Sequence, residues 1–193
     1  MERADYLDRL LAKYAGTFDI YKPYSVNDKE YPAYGYFFSC NEKYVLMKKA
    51  TLWAVHAYEH VLFMDVEDIT SETILEAQDL VENHLEPLVR KGNKYPEKDH
   101  MYSYLTVVII AQHEPSKEVK KLISKFKFDK GYMFSLRGYS EGHLICAVMD
   151  NEKVYTNGKA KVLADTYKKT FDEVRKGAIG YSEAFERDEQ KVL

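Results

Sequence analysis

Long apolar runs are what this 193-residue chain most plainly lacks. The longest, Leu105 to Ala111, is interrupted by Thr106 and falls far short of the roughly 20 residues a membrane-spanning helix needs, so no span is expected. The first residues, Met1-Glu2-Arg3-Ala4-Asp5, have no apolar core of the kind a secretory signal carries. Cysteine is scarce as well. Cys40 and Cys146 are too few for a disulfide framework and lack C-x-x-C spacing. Both lie in apolar, strand-like surroundings and read as buried thiols, which suits a reducing, cytoplasmic setting. Gly-x-Gly-x-x-Gly and Walker sequences are missing, so neither dinucleotide nor P-loop nucleotide binding is expected. With no Gly-x-Ser-x-Gly and no cysteine in an electropositive turn, nucleophilic catalysis has no support. Metal-dependent nucleases use a strand Asp followed by Glu-x-Lys or Asp-x-Lys on the next strand, and no such triplet falls on an expected strand here. No cofactor is expected.

Tyrosine is abundant instead, with 17 copies against one tryptophan, and seven of them fall in the first 36 residues. A ring that packs while its hydroxyl stays wet suits half-buried sheets and interfaces. Apolar residues at 46% and charged residues at 31% describe a soluble globular protein. The net charge of −3 hides an asymmetry. Residues 1–114 hold 12 Lys/Arg against 19 Asp/Glu, whereas residues 115–176 hold 14 against 8. Such a split steers partners, a second copy or a polyanion among them.

Periodicity predicts a helix over residues 2–14, from Tyr6, Leu7, Leu10, Leu11 and Tyr14, stopped by Gly16. Residues 17–33 read as an extended, tyrosine-rich arm. Strands are predicted at Tyr34–Ser39 and Tyr44–Lys48, joined by a turn at Cys40–Lys43, and again from Thr51 to Val66. Thr70 is the expected N-cap of a helix that Ile69 and Ile74 staple, that Pro87 weakens and that Gly92 ends. Residues 92–101 are the most linker-like stretch. Tyr102–Ala111, apolar on both faces, is expected as a central strand. Pro115 opens a helix with Val119, Leu122, Ile123 and Phe126 inward. Short strands at 131–137, 143–149 and 152–156 follow, with a turn at Ser140–Gly142. A helix over 164–176 then leads into a polar tail, 178–193. The expected fold is α+β, with a mixed, mainly antiparallel sheet of six or seven strands and helices mostly on one side. One domain, 1–193, is expected, with a half-domain boundary near 92–100.

The pentapeptide His56-Ala57-Tyr58-Glu59-His60 is the chain's most chemical motif. In a helix its histidines would lie one turn apart and share a metal, with Glu59 as base. In a strand they stand about 13 Å apart, with Tyr58 between them and Glu59 on the opposite face. Trp53, Val55, Tyr58, Val61, Phe63 and Val66 favour the strand. Asp65, Glu67 and Asp68 carry the wrong charge for a helix C-terminus, which favours it further. The H-x-x-E-H spacing resembles that of the inverted zinc peptidases, over about eight residues. That resemblance implies two zinc-binding histidines and a catalytic glutamate. At the family's spacing for its third ligand this chain has Ser135, Leu136 and Arg137, none of them a carboxylate.

Lys130-Gly131-Tyr132-Met133-Phe134 resembles the first half of the RNP1 motif of RNA-recognition domains, which implies stacking of bases on a central strand. Met133, Ser135 and Arg137 depart from that pattern. Lys117, Lys120, Lys121, Lys125 and Lys127 would add a phosphate-binding face, although a solvated helix surface has the same look. Arg137, Tyr139, Glu141 and His143 alternate about an expected hairpin tip, where a site could form. The leading expectation is a cytoplasmic, non-enzymatic protein that works by association, through self-association or partner binding, away from membranes. The alternatives are a metal-dependent hydrolase using His56, Glu59 and His60, and a nucleic-acid binder using the basic 117–137 region.

Overall fold

The computed structural model describes residues 1–44 and 51–186. After helix α1 (Arg3–Ala15) come the short strands β1 (Asp19–Tyr21), β2 (Tyr24–Val26) and β3 (Lys29–Tyr31). Two long strands follow, β4 (Ala33–Tyr44) and β5 (Thr51–Val66). Helix α2 (Ser71–Asp79) runs through a π-helical segment (Leu80–Leu85) into α3 (Glu86–Arg90). Strand β6 (His100–Ala111), helix α4 (Lys117–Lys125) and strands β7 (Asp129–Gly131), β8 (Tyr139–Val148) and β9 (Lys153–Thr156) come next. A 3-10 turn (Lys159–Leu163) leads into α5 (Ala164–Arg175).

The fold is α+β around a mixed seven-stranded sheet in the order β1-β4-β5-β6-β8-β7, with β9 also on β8. The pairings at its flanks are antiparallel, and β5, β6 and β8 run parallel at its centre. Parallel neighbours need crossovers, and both crossovers in this chain carry helices: α2 to α3 between β5 and β6, and α4 between β6 and β8. Successive crossovers of one hand that advance in one direction deposit their helices on one face. That face packs Leu62, Met64, Leu105, Val107, Ile109, Leu144 and Cys146 against Ile74, Ala77, Val81, Leu85 and Ile123. The terminal helices cover the other face, where Tyr6, Leu10, Leu11, Tyr167 and Phe171 meet Val61, Phe63, Val108, Ile110 and Ile145. The helices thus divide between both faces instead of gathering mostly on one. Strand β6 is sandwiched, and Leu105 to Ala111 are fully buried. This is why that run is apolar without alternation.

Local chemistry explains the boundaries. Thr70 caps α2, its Oγ1 accepting from the Thr73 N–H at 3.3 Å, and Ile69 and Ile74 are buried beside it. Pro87 has no N–H to give and follows the π-helical segment, where the Glu86 N–H reaches back five residues to Val81. Ser116, one residue after Pro115, caps α4 by accepting from Val119 N–H at 3.3 Å. Asn157 is buried and its side chain makes four hydrogen bonds. Its Oδ1 accepts from the Leu144 and Ala160 N–H groups, and its Nδ2 donates to the Phe126 and Gly142 carbonyls.

Several expectations are corrected. The arm at 17–33 folds into β1, which pairs with β4, and a β2–β3 hairpin. Strand β4 runs on through Cys40–Lys43, where a turn was expected, and Cys40 is exposed. The strand expected to continue to Lys48 lies outside the described residues beyond Tyr44. Residues 140–142 belong to β8, and the turn falls earlier, at 132–138. Among the described residues no helix is long and apolar enough to cross a membrane.

Candidate functional site

Strand β5 spans Thr51–Val66, so the pentapeptide 56–60 is extended. His56, Tyr58 and His60 share the face of α2, α3 and α4, while Glu59 points with Val61 and Phe63 toward α1 and α5. The two histidines lie about 13 Å apart along the strand and the carboxylate lies beyond the sheet, so they cannot share one ion. Among the described residues no three His, Cys, Asp or Glu side chains stand close enough together to hold a metal.

His60 is 3% exposed, with Nδ1 2.6 Å from the Tyr34 hydroxyl. Burial pushes the Tyr34 phenol far up, so it keeps its proton. The other ring nitrogen, Nε2, is buried and has no hydrogen-bond partner among the described residues. Burial, reinforced by the charges of His84 and Lys91, lowers His60 to about 4. Tyr24 stacks on Tyr34 at 4.5 Å and bonds His84 Nε2 at 3.0 Å. Tyr34, Tyr36, Tyr58, His60, Leu88 and Lys91 line a recess of about 190 Å³. His56 sits nearer solvent, 3.3 Å from Glu97, which also accepts from the Tyr58 hydroxyl.

On the opposite face Glu59 lines a separate cavity of about 240 Å³, beside Leu10, Lys13, Tyr14, Phe18 and Tyr167. Burial raises its carboxyl to about 7. Tyr14 and Tyr167 share a short hydroxyl–hydroxyl bond, and Tyr6 donates to the Tyr167 carbonyl at 2.9 Å. The Lys13 ammonium is engaged by Glu173 at 3.0 Å and Thr170 at 3.1 Å.

With this geometry in view, the comparisons add one match. The model of a domain of unknown function, DUF8052, matches residues 2–169. The chain belongs to that family. No curated protein and no solved structure matches it.

The other sequence candidates fall at separate places in this DUF8052 protein. Tyr139, Glu141 and His143 alternate along β8 instead of surrounding a hairpin tip, and they share the Glu59 face of the sheet. His143 Nε2 is 3.0 Å from Glu141, which also takes the Lys159 ammonium. Burial lowers His143 although Glu141 opposes it. Arg137 lies in the preceding loop and donates to the Pro96 carbonyl at 3.4 Å. On α4, Lys117, Lys121 and Lys125 face solvent opposite Val119 and Ile123. Lys120 pairs with Glu114 and Lys127 with Asp129, so part of the basic face is already neutralised. The RNP1-like run falls on edge strand β7 and the loop after it, with Tyr132 buried, so it presents no aromatic on a central strand.

Sequence reasoning missed the loop at 132–138. Met133, Phe134 and Ser135 have φ of 48°, 53° and 65°, three successive left-handed residues without a glycine among them. L-residues pay about 1–2 kcal/mol each for that conformation, so something must hold the loop. Its base does so. Tyr132 bonds Ser140 at 2.8 Å and Glu86 at 3.0 Å, and His100 Nδ1 donates to the Arg137 carbonyl at 2.7 Å. Gly138, at φ +72°, lies where a Cβ would come within 2.2 Å of the Met101 carbonyl oxygen. Glu86, 2% exposed, joins the network. Burial pushes its carboxyl up, but hydrogen bonds from Arg90, Lys130 and Tyr132 outweigh that and keep it low. On this base the Phe134 side chain is fully exposed and Leu136 is 78% exposed. No glycine or asparagine marks the left-handed residues in the sequence, so only Gly138 hinted at a turn.

Proposed function

We propose that this protein is non-catalytic and works by association, with the 133–136 loop as its docking element and a second copy of the chain as its partner. The observation that carries the reading is the full exposure of Phe134 on a left-handed turn anchored by buried hydrogen bonds. Backbone strain persists where the surroundings over-determine it, and it tends to mark functional positions. An apolar tip on a fixed base loses little entropy on docking. Met133 and Tyr139, at the loop, and Met101 of β6, which lines a recess with Ser135 and Leu136, are also partly exposed. The cytoplasmic setting belongs to the same proposal. It draws support from Cys146, a fully buried thiol on β8.

Sedimentation velocity over a wide concentration range tests the proposal. The wild-type chain is expected to dimerise with rising concentration. Phe134→Ser is expected to stay monomeric at an unchanged melting temperature, because its side chain buries nothing in the isolated fold. A wild-type chain that remains strictly monomeric at the highest concentration sinks self-association. A Phe134→Ser chain that dimerises as well as wild type removes the loop from it.

A further inference from the structure

Glu59 is placed where an apolar residue would be the stable choice. Its neighbours on the same face of β5, Val61 and Phe63, are fully buried and apolar. A carboxylate out of water needs a cation or several hydrogen-bond donors to offset its lost hydration. Among the described residues no ion pair engages Glu59, and Lys13, which lines the same cavity, is bound to α5 through Glu173 and Thr170. The nearby Thr106 hydroxyl is itself buried and makes no hydrogen bond among the described residues. The cavity is nonetheless walled by three aromatic rings, those of Tyr14, Phe18 and Tyr167, which offer negative faces to a cation.

We propose that this cavity binds a small organic ammonium ligand, its cationic head on the Glu59 carboxylate and its apolar body against Tyr14, Phe18 and Tyr167. The missing counterion is then supplied by the ligand. About 240 Å³ limits the ligand to a compact amine, smaller than the drug-sized molecules that fill pockets of roughly 300–1,000 Å³. Anions are disfavoured by the same carboxylate. The site is independent of the docking loop, which lies at the far edge of the sheet beside β7 and β8.

Titration calorimetry on the full chain tests this with three isosteric probes: butylammonium, butanol and butyrate. At about pH 8 butylammonium is expected to bind and the other two are not. At about pH 5.5 its affinity is expected to fall roughly 30-fold, because a carboxyl with its midpoint near 7 is then mostly protonated. The other titratable groups facing the cavity are Lys13 and Tyr14 from α1, Tyr167 from α5 and Tyr104 beside Glu59 on β6. Burial raises all three of those tyrosines, so none of them ionises in that window. Glu59→Gln is expected to abolish binding while remaining folded by circular dichroism. If that variant fails to fold, the wild-type contrast between the amine and the alcohol decides the matter alone. Equal binding of butanol, retained amine binding in Glu59→Gln, or no amine binding at millimolar concentration each overturns the proposal.

Discussion

The two faces of strand β5 apply one physical rule to two adjacent residues, with opposite consequences. Burial favours the uncharged form of both. It takes His60 down to about 4 and Glu59 up to about 7. Near neutral pH His60 is therefore fixed as a neutral imidazole, whereas Glu59 stands at its midpoint. On the His60 face the Tyr34 hydroxyl partners Nδ1 and tyrosine rings surround the imidazole. On the Glu59 face, among the described residues, no cation pairs with the carboxyl, which lies beside a cavity. His60 is buried and Glu59 half-buried, and a shared cause does not make the two sites equivalent. What matters is where each shift lands relative to the working pH, and whether the protein itself supplies the partner.

The largest effect should come from breaking the His60 face. Tyr34→Ala removes a buried ring that stacks on Tyr24 and bonds His60, and a cost of about 3–5 kcal/mol is expected in chemical denaturation. A cost below about 1 kcal/mol would mean that this face is not held by its tyrosines.

A subtler test uses pH. His60, with its folded value below the ordinary 6.5, loses stability as pH falls from about 6.5 to 4, because only the unfolded chain takes up the proton. Glu59, with its folded value above the ordinary 4.5, loses stability as pH rises from about 4.5 to 7, because only the folded chain keeps the proton. Between about 4.5 and 6.5 the two slopes oppose each other, so the strand's own contribution is nearly level. Glu59→Gln removes one of them. Relative to wild type, that variant should gain up to about 3 kcal/mol above pH 7 and lose the gain on acidification to about 4.5. Parallel stability curves for the two proteins across that range would refute the account. The smallest effect is expected from Tyr14→Phe, which leaves the Tyr167 hydroxyl without its partner. About 1 kcal/mol is predicted, with the His60 face unaffected, as the Tyr34–His60 contact would show by NMR.

The extended conformation of 56–60 was legible because β-branched and aromatic residues dominate residues 53–66, and acidic residues follow where a helix would want basic ones. Thr70 was readable as a cap for an equally local reason. What surrounds Glu59 was not readable. Tyr14 and Tyr167 stand 153 residues apart and meet only because the terminal helices pack on the face that the crossover helices leave open. The docking loop was hidden by a different cause. Met133, Phe134 and Ser135 adopt a conformation contrary to their own preference, under constraints from Glu86, His100 and Ser140. Local preference carries no record of such constraints. The charge split is likewise absorbed in part within the chain, as in the ion pair of Lys130 with Glu86 at 3.0 Å.

The side chain of Asn157 bears on how this molecule can meet others of its kind. By bonding Gly142 and Leu144 it fills the gap on β8 between the stretch paired with β7 and the stretch paired with β9. One amide thus does for that gap what a ladder of neighbouring backbone would do. The sheet ends on this side in pieces of three and four residues, too short to template another strand. On the opposite side β1 covers only Tyr34 to Tyr36 of the long strand β4. At the β8 border, growth by strand addition is therefore blocked.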